Sequence, residues 1–222
     1  MNDSSESHGT RERILEVAAG LFRSLGYEGT STGDIGAAVG ISGPAIYYHF
    51  SGKDVILYLL CERATVEQIE RGREARLEPT PLDQLRAFVR GDCTYQLESL
   101  RAVQEYGPGG YTFAQLMRSL SEADQRRINV LRRKLYDIPH GIVRDGIADG
   151  SFASVDPTAT TFAMFGMSQQ AISWFDFEGR LSIEELAGLY ADLAAKMVLP
   201  EGASPHAPRP LPGRRPTAAA PA

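Results

Sequence analysis

Apolar residues recur along most of this chain every three or four positions, the spacing of a helix face, and hardly anywhere in the alternation of a half-buried strand. Ile14, Ala18, Leu21, Phe22 and Leu25 mark a first helix that Thr10 can cap and Gly26 can end. Ser31 with Asp34 has capping-box spacing and opens a short helix that buries Ile35, Ala38 and Val39 and stops at Gly40. Ser42 caps the next helix, with Pro44 in its first turn, where a missing N–H costs nothing. Ser51-Gly-Lys-Asp54 opens a long fourth helix through Val55, Ile56, Leu57, Leu59 and Leu60, and Thr80-Pro-Leu-Asp83 a further one. Gly107-Pro-Gly-Gly110 interrupts the pattern, and Ser121 with Asp124 restarts it as a long helix through Ile128, Leu131, Leu135, Ile138 and Ile142 to Gly150. Pro139 inside that stretch predicts a kink or a split, because proline removes one intrahelical bond and clashes with the preceding turn. Asp156-Pro157 starts a helix carrying Phe162, Met164, Phe165, Met167, Trp174 and Phe175 up to Gly179. Ser182 with Glu185 starts the last, with Leu186, Leu189, Leu193 and Met197. The expectation is an all-α fold of about nine helices.

Composition narrows the class without changing that picture. A chain of 222 residues with 23% charged and 43% hydrophobic residues is long enough for a substantial core and ordinary for a globular protein. No run approaches the ~20 consecutive apolar residues of a membrane span, and the polar start, Met1 to Gly9, is unlike a secretory signal, so a cytoplasmic protein is expected. Cys61 and Cys93 lack metal-type spacing to each other or to the histidines, so no metal, cofactor or disulfide is expected and both read as small buried hydrophobes. The net charge is −5, and residues 1–55 carry Arg11, Arg13, Arg23 and Lys53 against seven acids, a local −3. Charge alone therefore argues against a general nucleic-acid binder, and any such reading rests on geometry.

That geometry is present. Two short helices joined by Val39-Gly-Ile-Ser42 form a helix-turn-helix, with Ile35, Val39, Ile41 and Ile46 as its small core and a second helix able to enter a major groove about 12 Å wide. The run Gly40-Ile-Ser-Gly-Pro-Ala-Ile-Tyr-Tyr-His-Phe-Ser-Gly-Lys-Asp54, with Phe22 and Gly26-Tyr27 upstream, resembles the DNA-binding region of the TetR family of regulators. The resemblance implies that Ser31, Thr32, Ser42, Gly43, Pro44, Ala45, Tyr47, Tyr48, His49 and Lys53 face DNA. By chemistry, Tyr47 and His49 can hydrogen-bond phosphate oxygens, Lys53 adds charge, the amides at the first turns of the two helices favour an anion, and Gly43, Pro44 and Ala45 offer only apolar or main-chain contact to bases. One of the adjacent tyrosines is expected to face outward while the other packs. Gly33 and Ala37 depart from the basic or polar residues common there, and Arg11 with Arg13 can compensate as a basic arm.

The likeness also organises the rest of the chain: 1–9 a flexible N-terminus, 10–55 the DNA-binding domain, 56–199 a helical ligand-binding and dimerisation domain, and 200–222 a disordered Pro/Ala-rich tail. It implies a homodimer through the last two helices, a palindromic double-stranded operator and a small hydrophobic effector. Phe88, Tyr95, Phe113, Met117, Phe162, Phe165 and Trp174 are the candidate pocket residues, since aromatic and methionine side chains line apolar cavities. The stretch Ile172-Ser-Trp-Phe-Asp-Phe-Glu-Gly-Arg-Leu-Ser-Ile-Glu-Glu-Leu186, with Tyr190-Ala-Asp-Leu193, resembles a branch that senses acyl-CoA thioesters, making such a thioester the leading effector. Two other readings stay open: a ligand-binding dimer without operator binding, which the acidic N-terminal region favours, and an all-α enzyme, for which the chain offers no phosphate loop, nucleophile elbow or His-Glu metal motif.

Overall fold

The computed structural model describes residues 3–105 and 110–202, without the side chains of residues 3–7 and of Phe113. Among these residues every regular element is helical: α1 (Asp3–Leu25), α2 (Thr32–Val39), α3 (Gly43–His49), α4 (Lys53–Ala75), α5 (Pro81–Gln104), α6 (Phe113–Leu116), α7 (Glu122–Ala148), α8 (Pro157–Ala171) and α9 (Ile183–Val198), with one 3₁₀ turn at Met117–Ser119. Six of the expected capping bonds form. Ser31, Ser42, Asp156 and Ser182 accept from the backbone amide three residues on, and Thr80 and Ser121 do the same for Asp83 and Asp124 at 3.1 Å.

Three expectations are corrected. Helix α1 begins at Asp3 rather than at Thr10, so Arg11 and Arg13 are turns of a helix and not a basic arm; no proline or glycine stands before Gly9 to stop it. Of the kink or split expected at Pro139, the split does not occur: α7 runs unbroken from Glu122 to Ala148. Helix α8 ends at Ala171, so Trp174 and Phe175 lie in the connection to α9 rather than on a helix. Residues 107–109 of the glycine-rich interruption and 203–222 of the tail lie outside the described residues.

The chain packs as two compact units, Met1–Ile69 with Ser99–Leu135, and Glu70–Glu98 with Tyr136–Ala222. The first therefore takes in residues 99–135, which the sequence grouped with the larger domain. Its core gathers Ile14, Leu15, Ala18 and Phe22 of α1, Ile35 and Val39 of α2, Ile46 of α3, and Ile56, Leu57, Leu60 and Cys61 of α4, with Leu116, Leu120 and Ile128 closing it. In the second unit Cys93, Leu97, Ala171, Phe175, Leu186 and Ala187 form one cluster, and the Tyr136, Phe88 and Phe165 rings meet edge to face. Helix α9 buries Leu186, Ala187, Ala191, Ala194, Ala195 and Val198 along one face. Both cysteines are free and buried, and burial pushes each thiol up to about 12.

Candidate nucleic-acid interface

The frame of the site is the α2–α3 pair. Gly40 closes α2 with φ 85°, a left-handed conformation that side chains rarely adopt, and its N–H returns to the Ala37 and Gly36 carbonyls. Gly36 matters for a different reason, which the sequence reading missed. A Cβ there would stand 3.0 Å from the Ile41 carbonyl oxygen and 3.1 Å from the Gly43 nitrogen, so a side chain would push the turn back from α2 by a few tenths of an ångström. Its carbonyl also accepts from Ile41 N–H at 2.9 Å. The one sequence signal is an unexplained glycine inside a short helix. Ile35, Val39 and Ile46 then bind the two helices to the core.

On this frame Tyr47 and Tyr48 are both exposed, at 58% and 82%, so neither packs inward. Ile46 and Phe50, one helical turn apart, take the buried face, and the two positions after Ile46 are turned away from it. The Tyr47 hydroxyl lies 3.5 Å from Thr32 Oγ1 at the start of α2, and the Tyr48 ring meets His49 edge to face. Pro44 is exposed, and Gly43 and Ala45 are half-buried. Pro44, Tyr47 and Tyr48 are thus exposed on α3, with the half-buried Thr32 and His49 in contact with the two tyrosines.

Other predicted contacts are already occupied. The Arg11 guanidinium stacks 4.1 Å over the Phe50 ring and donates to the His49 carbonyl, holding α1 to the end of α3. Lys53 donates to the Tyr27 and Thr30 carbonyls at 3.0 and 3.1 Å and lies over the Tyr27 ring, pinning α4 to the α1–α2 connection. Ser31 is spent on the capping box: its N–H and hydroxyl donate to Asp34, whose carboxyl is held below its usual range by these bonds. An acid thus already sits at the N-terminus of α2. Neither α2 nor α3 contains a Lys or Arg.

The pocket candidates divide between the two units. Met117 belongs to the first unit and Phe88, Tyr95, Phe162, Phe165 and Trp174 to the second; Phe113's side chain lies outside the described residues. Phe88 and Phe165 are buried and in ring contact. Tyr95 is half-buried with the Arg71 guanidinium over its ring. Phe162 and Trp174 are exposed at 56% and 51%. Among the described residues no group of three His, Cys, Asp or Glu could hold a metal, and no helix is long and apolar enough to cross a membrane.

The first unit holds a helix-turn-helix whose core is shared with α1 and α4, and the second is all-helical among the described residues. Residues 14–58 match the bacterial regulatory proteins of the tetR family, and residues 78–198 the tetracyclin repressor-like C-terminal domain. The chain belongs to the TetR family of DNA-binding transcriptional regulators. It is 24% identical over 206 residues to the HTH-type transcriptional repressor KstR2 of Rhodococcus jostii (strain RHA1), covering 92% of this chain and 97% of that one. The fold matches the TetR family regulator PfmR from Thermus thermophilus with TM-score 0.70 and 32% identity, over 84% of this chain and 95% of PfmR. It also matches AibR, solved in complex with isovaleryl coenzyme A and operator DNA, with TM-score 0.67 and 25% identity over 86% and 98% of the two chains.

Proposed function

We propose that this protein is a cytoplasmic, homodimeric repressor that binds a palindromic operator through α2 and α3 and is released by a small hydrophobic effector, with an acyl-CoA thioester the leading candidate. The observation that carries the reading is that Tyr47 and Tyr48 stand exposed, with Thr32 at the Tyr47 hydroxyl, on a turn built around Gly36 and Gly40. These hydroxyls suit phosphate oxygens, and the apolar front of α3 suits a thymine methyl. With so few charges on the surface, sequence-dependent DNA shape carries a large share of the readout.

Dimerisation is supported by the outer faces of the last two helices. Phe162 on α8 and Leu193 and Met197 on α9 are large apolar residues exposed on these helices. A two-fold dimer covers such a patch and sets its two α3 helices against successive grooves about 34 Å apart. Ligand then acts by preferring a spacing that no longer fits, which requires different affinities for the two states. The AibR complex with isovaleryl coenzyme A supports a thioester as effector.

The test is fluorescence anisotropy of purified protein on DNA from upstream of its own gene, at two salt concentrations, with and without a series of acyl-CoAs beginning with isovaleryl-CoA. Specific binding released by one thioester is expected. A dimer by mass with no specific binding favours the ligand-binding protein without operator function.

A further inference from the structure

The stretch Ser99–Leu135 belongs to the first unit, and its Leu116, Leu120 and Ile128 are buried in the same core as Ile14, Phe22 and Ile35. A capping box fixes the start of α6: Thr112 N–H donates to Gln115 Oε1 at 2.7 Å, and Gln115 N–H donates to Thr112 Oγ1 at 3.3 Å. Tyr111, one residue before that box, donates its own N–H to the carbonyl of Arg23 at 2.7 Å, in the last turn of α1. Its ring lies on Gly26. A Cβ at Gly26 would stand 2.9 Å from two ring carbons of Tyr111 and 3.2 Å from its hydroxyl oxygen, so the ring fills the space that a side chain at position 26 would take.

Gly26 opens the connection from α1 to α2, with φ 75°. The buried Thr30 donates its hydroxyl to the Gly26 carbonyl at 2.8 Å, and Lys53 donates to the carbonyls of Tyr27 and Thr30. Ser31 then caps α2, and Thr32 begins it beside the Tyr47 hydroxyl. The connection is therefore held by Lys53 at Tyr27 and Thr30 and by Tyr111 at Gly26. A glycine with nothing over it visits several backbone conformations at little cost. The Tyr111 ring removes that freedom where the chain leaves α1 for α2. The ring is itself 39% exposed, so it contributes less to the core than a fully buried aromatic does.

We infer that Tyr111 is a positioning residue for operator binding: its ring, set on Gly26, fixes the α1–α2 connection and, through Thr30 and Ser31, the placement of Thr32 and the α2–α3 pair on DNA. It acts through Gly26 and not by touching DNA. Losing that placement weakens binding to a specific site more than binding to arbitrary sequence, which needs no base contact. The inference rests on the operator-binding reading, and it adds a residue outside α2 and α3 on which that binding depends.

The experiment uses the full chain as wild type, Tyr111→Phe, Tyr111→Ala, Gly26→Ala and the double variant Tyr111→Ala/Gly26→Ala. Fluorescence anisotropy measures binding to DNA from upstream of the protein's own gene and to a scrambled duplex of the same length and composition, and circular dichroism gives the folded fraction at the assay temperature. Tyr111→Phe, which keeps the ring, is expected to bind the upstream DNA within about twofold of wild type, whereas fully folded Tyr111→Ala loses about five- to tenfold there and less than about twofold on the scrambled duplex. Gly26→Ala drives its methyl into the ring and weakens upstream binding as well. Removing the ring removes that clash, so the double variant loses less than the product of the two single effects. If Tyr111→Ala is not folded at the assay temperature, Tyr111→Leu, which keeps apolar bulk but no flat ring over Gly26, takes its place with the same expectations. Unchanged upstream binding without the ring, an equal loss on both duplexes, or a double variant equal to the product would each overturn the inference. Wild type that distinguishes the duplexes while the ringless variant matches it rejects the role of Tyr111 alone, whereas wild type that does not distinguish them rejects the regulator reading as well.

Discussion

The Tyr47 hydroxyl stands 3.5 Å from Thr32 Oγ1, linking the exposed side of the recognition helix to the first turn of α2. The contact is exposed, so the pair is expected to add little to folding, and on the proposed function it presents two hydroxyls to a phosphate oxygen. Tyr47→Phe is expected to leave the folding stability within ~1 kcal/mol of wild type and to weaken operator binding by roughly three- to tenfold. Unchanged operator affinity in anisotropy titrations would remove Tyr47 from the interface.

Gly36→Ala is a different kind of change. The added methyl meets main-chain atoms of Ile41 and Gly43 at 3.0 and 3.1 Å, and main chain cannot turn aside as a side chain can. We expect a loss of ~1–3 kcal/mol in urea unfolding together with weaker DNA binding, since the angle between α2 and α3 must change. Gly33→Ala, whose Cβ meets only Ser31 Oγ at 3.4 Å, serves as the tolerated control.

Gly33 also gives access to the electrostatics. It is exposed at the start of α2, on a pair of helices without Lys or Arg. Gly33→Lys is expected to tighten operator binding and to steepen the plot of log affinity against log salt by about 0.9, one phosphate neutralised. An unchanged slope would show that position 33 does not approach the DNA backbone.

The exposed apolar face of α8 and α9 predicts the oligomer. Leu193→Asp, on the outer side of α9, is expected to convert the dimer to monomer in analytical ultracentrifugation and to lower operator affinity by an order of magnitude or more, as both half-sites are then no longer engaged together. A dimer that persists in Leu193→Asp and in Phe162→Glu would place the interface elsewhere.

Asp92, on α5, has a stability signature. Burial pushes its carboxyl up to about 6 in the folded chain, against ~3.9 when unfolded. Between these values the folded state holds more protons, so stability falls as pH rises through the window and stays reduced above it. Asp92→Asn, which has no charge to bury, is expected to be more stable than wild type at pH 7 by on the order of 1–3 kcal/mol, with the difference shrinking below pH ~4. A destabilised Asp92→Asn at pH 7 would mean that the carboxylate is well paired in the native state.

What could be read from the sequence follows from range. The caps at Ser31, Ser42, Thr80, Ser121, Asp156 and Ser182 act within three residues, and each was legible. The helix-turn-helix was legible for the same reason, with its turn glycine and apolar positions all within one short run. The intramolecular contacts of Arg11 and Lys53 are not legible because the partners are distant along the chain: the carbonyl of His49 and the ring of Phe50 for one, the carbonyls of Tyr27 and Thr30 for the other. Gly36 was passed over because its role is an absence of volume against a turn that only the folded backbone brings near. Trp174 was assigned to a helix because aromatic spacing continued after the residues that could bury it had ended.

The lack of Lys and Arg on α2 and α3 has a consequence for non-specific DNA binding. A recognition surface gains most of its hold on arbitrary sequence from Lys and Arg, and a genome presents roughly 10⁶–10⁹ such decoy positions. On the function proposed above, weak attraction to these positions is expected to leave a larger share of the molecules in free solution, where newly arrived effector can meet them.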